Sequence, residues 1–284
     1  MKITDTCIDC LLSRVKLECT LCNADAARTE VAVCECRNLL GTLKDERLSH
    51  PQIASSIHRR AYQILGTTDP FRDLKKMGNL QAMEVCQKIR GSLGSFRDYA
   101  LASVIGNTFD YGVKGHTVDA DFSRFFTSEF QKGFVIDDTD SIQKLCSRVV
   151  YLSDNCGEIV LDKLFISWLK RHGSHVTLAV KGEPALNDAT IEDARDLGLD
   201  AIVDVLTTNG GGAEIGICME KIPDDLRNAI QQCTIIIAKG MANYESLSER
   251  KDLPSVAYLL AAKCGPVAED IGVPVGSKIA MLRT

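Results

Sequence analysis

A surplus of positive charge is what this sequence most plainly lacks. The formal net charge is −5, with acids and bases mixed along the chain, so there is no cationic footprint for nucleic acid or an anionic membrane. Long hydrophobic runs are missing too. No stretch reaches the apolar length a membrane-spanning helix needs, and Met1-Lys-Ile-Thr-Asp-Thr-Cys7 lacks the apolar segment of a secretory leader. The expectation is a soluble, cytoplasmic protein without nucleic-acid or membrane partners. Nucleotide fingerprints are also absent: the glycine-rich stretch at Thr207–Gly216 spells neither GxGxxG nor a Walker loop. What is present is ample apolar content, 45% of 284 residues, enough for one large domain or two ordinary ones.

Cysteine is abundant, with twelve in the chain. Cys7, Cys10, Cys19, Cys22, Cys34 and Cys36 crowd the first forty residues. Cys7-x-x-Cys10 and Cys19-x-x-Cys22 repeat a spacing used by zinc and iron–sulfur ligands. The segment between them reads as helix, however, and cysteines three apart on a helix share a face. Buried apolar side chains or a redox pair satisfy the same pattern.

Residues 1–147 read as helix after helix. Apolar residues recur at three- and four-residue spacing over 5–21 and 24–40, with Gly41 as the expected stop. Ser49-His-Pro51 opens a helix that ends at Gly66, and 70–89 forms another, broken at Gly78. An apolar helix from Phe96 finishes in Gly106-Asn107 and Asp110-Tyr-Gly112. A short pattern around Phe122–Phe134 and the acidic loop Asp137–Asp140 follow. From residue 148 to 284, apolar strands alternate with helices, the mark of a doubly wound parallel sheet and hence an α/β class. Strands are predicted at 149–153, 175–180, 201–205, 234–238 and 277–282, and helices at 159–172, 189–197, 224–232 and 255–264.

Unusual residues gather at the expected carboxyl ends of these strands, where open α/β sheets bind ligands. Asp154 and Asn155 end the first strand; both offer oxygen, suiting a hard divalent cation, and both equally suit an Asx turn capping the next helix. Asp188 follows the second strand and is a further candidate carboxylate. The Thr207–Gly216 loop has amides for an anion nest. Lys239 and Gly240 leave the fourth strand together, a point charge beside open backbone of the kind a phosphoryl group needs. Lys263 is a second basic residue, on an otherwise apolar helix end. Asn107 and Asp110, three apart, share a helical face able to bond a ligand or a metal-bound water, or simply cap the helix.

Taken together, Cys7-x-x-Cys10, Gly106-Asn107-x-x-Asp110, Asp154-Asn155-x-Gly157-Glu158, Asn187-Asp188-Ala-Thr190 and Lys239-Gly240-x-x-Asn243-Tyr244 resemble the domain of unknown function 89 family of damage-control, metal-dependent phosphatases. The resemblance spans nearly the whole chain, in order, and is strongest to the short, cysteine-containing microbial branch. It implies a helical N-terminal domain beside a Rossmann-like α/β domain. It also implies one divalent cation, Mn²⁺, Co²⁺, Ni²⁺ or Mg²⁺, held at Asp154, Asn155 and Asp188. Asn107 and Asp110 would reach the site from the helical domain, Lys239 and Lys263 would face the phosphate, and Gly240 and Asn243 would complete the substrate-binding set. The implied substrates are small phosphorylated metabolites, including sugar phosphates and damaged cofactor precursors. Cys19, Cys22, Cys34 and Cys36 match nothing in that pattern.

Phosphomonoester hydrolysis requires neutralised phosphoryl oxygens, an in-line water and a stabilised leaving alkoxide. On this reading the cation at Asp154, Asn155 and Asp188 polarises the phosphoryl group, and Lys239 with the amides near Gly240 shares the developing charge. Asp110 orients or deprotonates the water, with Glu158 as the competing candidate. A covalent aspartyl-phosphate on Asp154 ranks second, because no second aspartate stands two residues on. Two other classes remain as alternatives: an adenosylmethionine-dependent methyltransferase, and a non-enzymatic cysteine-rich zinc or redox protein.

Overall fold

A computed structural model describes residues 4–46, 48–107 and 122–284. Five helices come first: α1 (Asp5–Leu21), α2 (Ala26–Leu43), α3 (His50–Leu65), α4 (Arg72–Ile89) and α5 (Phe96–Gly106). Their ends follow local chemistry. Thr4 accepts from the Cys7 amide, Asp25 from Arg28, and Ser49 forms a reciprocal box with Gln52 ahead of the left-handed Gly66 stop. Two expected interruptions are absent: α2 continues through Gly41 and α4 through Gly78. A glycine inside a helix costs only about 1 kcal/mol, which burying Leu40 or Ala82 and Val85 on the same helices outweighs.

The remaining chain builds α6 (Phe122–Lys132), β1 (Ile136–Asp137), α7 (Thr139–Leu145), β2 (Arg148–Leu152), α8 (Glu158–Arg171), β3 (His175–Val180), α9 (Ile191–Asp196) and β4 (Val205–Thr208). Then come α10 (Asp224–Gln232), β5 (Ile235–Lys239), α11 (Gly240–Leu247), β6 (Val256–Ala261), α12 (Gly265–Ile271) and β7 (Lys278–Arg283). The sheet order is β1-β7-β6-β5-β2-β3-β4. All neighbours run parallel except β6 and β7. The chain moves outward from β2 through β3 to β4, then returns to lay β5 on the other side of β2. The order therefore reverses between β2 and β5, and a crevice opens where their carboxyl ends diverge.

Alternate strand residues feed two cores. Val149, Tyr151, Leu178 and Ile237 pack with α4, α5 and α8 on one face; Val150, Leu152, Ile236 and Tyr258 pack with α10, α11 and α12 on the other. A third core lies among α1, α2 and α3 and takes in Ala185, Leu186 and Ile215 from the loops after β3 and β4. Those loops seat the helical layer over the carboxyl ends of the strands. No helix among the described residues is long and apolar enough to cross a membrane.

Two predicted elements differ. The segment 255–264, predicted as helix, contains the interior strand β6, with Val256 to Ala261 all buried. Six continuous apolar residues carry no periodicity with which to distinguish strand from helix, and the β5 and β7 backbones on either side settle it. The strand expected at 201–205 begins instead at Val205, because Leu199 and Ala194 hold the preceding turn.

Leu161 is fully buried on α8, facing α5 close to Gly106. Leu161→Ala is expected to lower unfolding free energy by about 2–5 kcal/mol in urea titration; a loss below about 1 kcal/mol would show that this helix pair is not tightly packed.

Candidate active site

Asp154 leaves the end of β2 and meets the start of α11 across the switch point. Gly240 has φ +76°, and a Cβ there would lie 1.9 Å from Asp154 Oδ2. Only glycine lets the two loops close to this distance. Gly157, at φ +82°, turns the loop into α8, and its N–H donates to Asn79 Oδ1 at 2.6 Å. The loop after β3 is laced alongside: Ala189 N–H donates to the Asp154 carbonyl and Cys156 N–H to the Asn187 carbonyl, both at 2.8 Å. A bridge between Asn155 and Asp188 completes the pairing. Backbone bonding thereby brings Asp154, Asn155 and Asp188 together, as the sequence predicts.

Amides orient the carboxylates. Asp154 Oδ2 accepts from Asn107 Nδ2 at 2.9 Å and Asn155 Nδ2 at 2.7 Å. Asn107 also donates to Glu158 Oε2, and its Oδ1 accepts from the Ala261 amide at 3.4 Å. Lys181 Nζ stands 3.2 Å from Asp188 Oδ2 and donates to the Gly216 carbonyl. Asn155 has its NH₂ committed to Asp154 and Glu158, which leaves Oδ1 as the atom that could meet a cation. Two carboxylates and an amide oxygen, nearly buried on one wall, make a hard donor set that fits a small divalent cation. Among the described residues no three His, Cys, Asp or Glu side chains cluster for a metal, so a cation here would rest on two carboxylates and the amide oxygen.

Lys239 is not where its sequence context suggests. It is 0% exposed, and Nζ donates to Glu158 Oε1 and Asp162 Oδ1 at 2.6 Å and to the Ser103 carbonyl at 3.3 Å. All three protons are used, so the ammonium lies beneath the site and does not face the opening. Burial works against its charge, but Asp162 and Glu158 more than offset that and hold its pKa above the usual lysine value. Burial pushes the Asp162 carboxyl up to about 7 against the pull of Lys239, with Glu158 adding to the rise. Tyr151 donates to Asp162 Oδ1 at 2.7 Å.

Other predicted residues fall in two groups. Lys263 lines a cavity of about 350 Å³ with Asp154, Asn155 and Asp188; α1 contributes Cys7, Cys10 and Arg14 to the same space. His50 and Glu245, 3.0 Å apart, also line it. Glu158, Asn107 and Asn243 stand behind the wall. Glu158 is fully buried with both oxygens engaged, so it is not placed to activate a cavity water. Asn243 spends its NH₂ on the Ser153 and Lys239 carbonyls, at 3.1 and 2.8 Å, clamping the two strand ends. Asp110 lies outside the described residues. In the Thr207–Gly216 loop, Gly210 packs on the Lys221 carbonyl and Gly216 on the Ala242 carbonyl, so these two glycines serve close backbone packing. All twelve cysteines are free thiols.

Sequence reading missed Asp162, Tyr151, Lys181 and Asn79. A signal existed for Asp162: Glu158 and Asp162 are four apart on the same face of an otherwise apolar helix, and acids so placed in a core need a buried cation.

Fold and site define an α/β enzyme whose acidic cavity opens at the sheet's switch point. The damage-control phosphatase ARMT1-like domain model matches residues 3–279, so the chain belongs to that family. It is 44% identical over 286 residues to a damage-control phosphatase of Archaeoglobus fulgidus, covering 99% of both chains. It is 29% identical over 289 residues to a damage-control phosphatase of Pyrococcus horikoshii, covering 99% of this chain and 98% of the other. The crystal structure of a domain of unknown function 89 family protein from the same organism superposes with TM-score 0.90 at 27% identity, covering 99% of each chain.

Two substitutions test the geometry. Gly240→Ala drives a methyl into the Asp154 carboxylate, and Mn²⁺ affinity by calorimetry is expected to fall by about tenfold or more; unchanged affinity would remove Asp154 from the ligand set. Lys239→Met strands two buried carboxylates and is expected to cost about 3–5 kcal/mol in urea unfolding. Full stability with only a raised KM would return the lysine to the phosphate.

Proposed function

We propose that the chain is a metal-dependent phosphomonoesterase acting on small phosphorylated metabolites, either sugar phosphates or damaged phosphometabolites. The observation that carries this reading is that Asp154, Asn155, Asp188 and Lys263 line one cavity at the switch point. Family membership supports phosphate-ester hydrolysis and sets aside the methyltransferase alternative. The distribution of the cysteines speaks against a zinc module: Cys19 and Cys36 are packed in the third core, whereas Cys34 is exposed.

Asp154, Asn155 Oδ1 and Asp188 would hold the cation, which is Mn²⁺, Co²⁺, Ni²⁺ or Mg²⁺. When bound it supplies Lewis-acid polarisation of the phosphoryl group and a more acidic water. Lys263 supplies a positive charge to the phosphoryl oxygens. Met241 and Ala242 line the cavity at the start of α11, where a helix N-terminus would favour the same anion. Asn107 and Asn155 hold the Asp154 carboxylate in one orientation, so the seat is formed before the ligand arrives. Lys239 and Glu158 act through Asn107 as positioning residues, which leaves Asp110 as the candidate to orient or deprotonate the attacking water.

Asp154→Ala is expected to reduce Mn²⁺-dependent release of 4-nitrophenol from 4-nitrophenyl phosphate by about a hundredfold or more, with the circular dichroism spectrum unchanged. A folded variant that keeps its rate would reject the reading.

A further inference from the structure

Two of the cysteines left without a task stand inside the catalytic cavity. Cys7 and Cys10 line it together with Asp154, Asn155 and Asp188, and so does Cys264 at the start of α12. Core packing does not account for the pair, because the third core includes Cys19 and Cys36 but neither Cys7 nor Cys10. Both sit on α1, three residues apart, where helix geometry sets their Cα atoms about 5 Å from each other. That separation lies within the span a disulfide bridges without backbone movement. Cys10 is the more exposed; Cys7 is buried, with the Thr4 hydroxyl donating to its Sγ at 3.2 Å.

We propose that Cys7 and Cys10 are a reversible oxidation site in the cavity wall, closed to a disulfide by a low-molecular-weight disulfide, and that closure slows hydrolysis at Asp154, Asn155 and Asp188. The effect on rate rests on the phosphatase reading; the thiol chemistry does not. Cys10 sulfur attacks the R–S–S–R bond, keeps one RS group and releases the other as RS⁻, which takes up the proton Cys10 has lost. Cys7 sulfur then attacks Cys10 Sγ, the internal disulfide forms, and the second RS⁻ departs with the Cys7 proton. Two electrons pass from the protein dithiol to the oxidant, and two RSH molecules result. Closure draws the two sulfurs to about 2 Å, reshaping the wall of a cavity of about 350 Å³ that must also admit substrate. The mixed disulfide formed on the way fills that space with the oxidant's own bulk.

The test treats the full chain, loaded with Mn²⁺, with oxidised glutathione, then divides it between non-reducing peptide mass spectrometry and 4-nitrophenyl phosphate hydrolysis. The expected result is a peptide bridged between Cys7 and Cys10 and a rate lower by about fivefold or more, restored by dithiothreitol. Cys10→Ser should keep its own reduced rate after the same treatment, while Cys34→Ser, changed on the exposed face of α2, should respond as the parent does. Absence of the bridged peptide, a bridged protein with unaltered rate, or equal slowing of Cys10→Ser would each overturn the proposal. Absence of hydrolysis before oxidation would instead overturn the phosphatase reading. Alkylation then decides the thiol site: inorganic phosphate with Mn²⁺ must slow iodoacetamide modification of Cys10 by about threefold or more, and no slowing sinks the oxidation site.

Discussion

A lysine ammonium sealed away from water is the constraint on which the site depends. Lys239 has no solvent to stabilise it, so Glu158 and Asp162 must, and the buried cluster is tolerable only because every ammonium proton and nearly every carboxyl oxygen is bonded. The arrangement is costly in desolvation and therefore specific: shifting α8 against β5 would expose an unpaired charge to an apolar core. Glu158 passes this rigidity outward, since the oxygen not held by Lys239 receives Asn107, and Asn107 holds Asp154. A chain of hydrogen bonds thus runs from the centre of the sheet to the carboxylate at its edge.

The same economy explains where glycine is required. At position 240 the strand end and the Asp154 loop approach so closely that no Cβ fits, and at 157 the chain must turn with positive φ to begin α8. Both lie where β2 and β5 part, so sheet topology creates the crevice and the two glycines let side chains crowd into it. The α1 layer then covers the opening, making a cavity that presents oxygen donors from the strand loops and sulfur from the helix. Hard cations prefer the oxygen set.

Much of this was legible in the sequence, and the remainder was not for identifiable reasons. Caps at Ser49 and Gly66 and the apolar period of α1 marked helices because those signals are local. That Asp154, Asn155 and Asp188 meet on one wall was legible because loops at the carboxyl ends of parallel strands converge at the switch point. The strand β6 was not, because Val256–Ala261 owes its form to neighbouring strands rather than to its own pattern. A strand-end lysine normally reaches solvent, so sequence alone places Lys239 at the phosphate, whereas its partners lie 81 and 77 residues earlier in the chain. Asn243 likewise suggests a ligand contact by its place in the sequence, whereas its amide secures two carbonyls of the scaffold.

The central claim is that one cation is seated by Asp154, Asn155 and Asp188. Anomalous scattering from crystals grown with Mn²⁺ tests it most directly. The account predicts a single strong peak within coordination distance of both carboxylates and the Asn155 amide oxygen, on the cavity side of the loop. A peak at the Cys7 and Cys10 sulfurs, or fully occupied Mn²⁺ elsewhere with these three side chains unliganded, would contradict it.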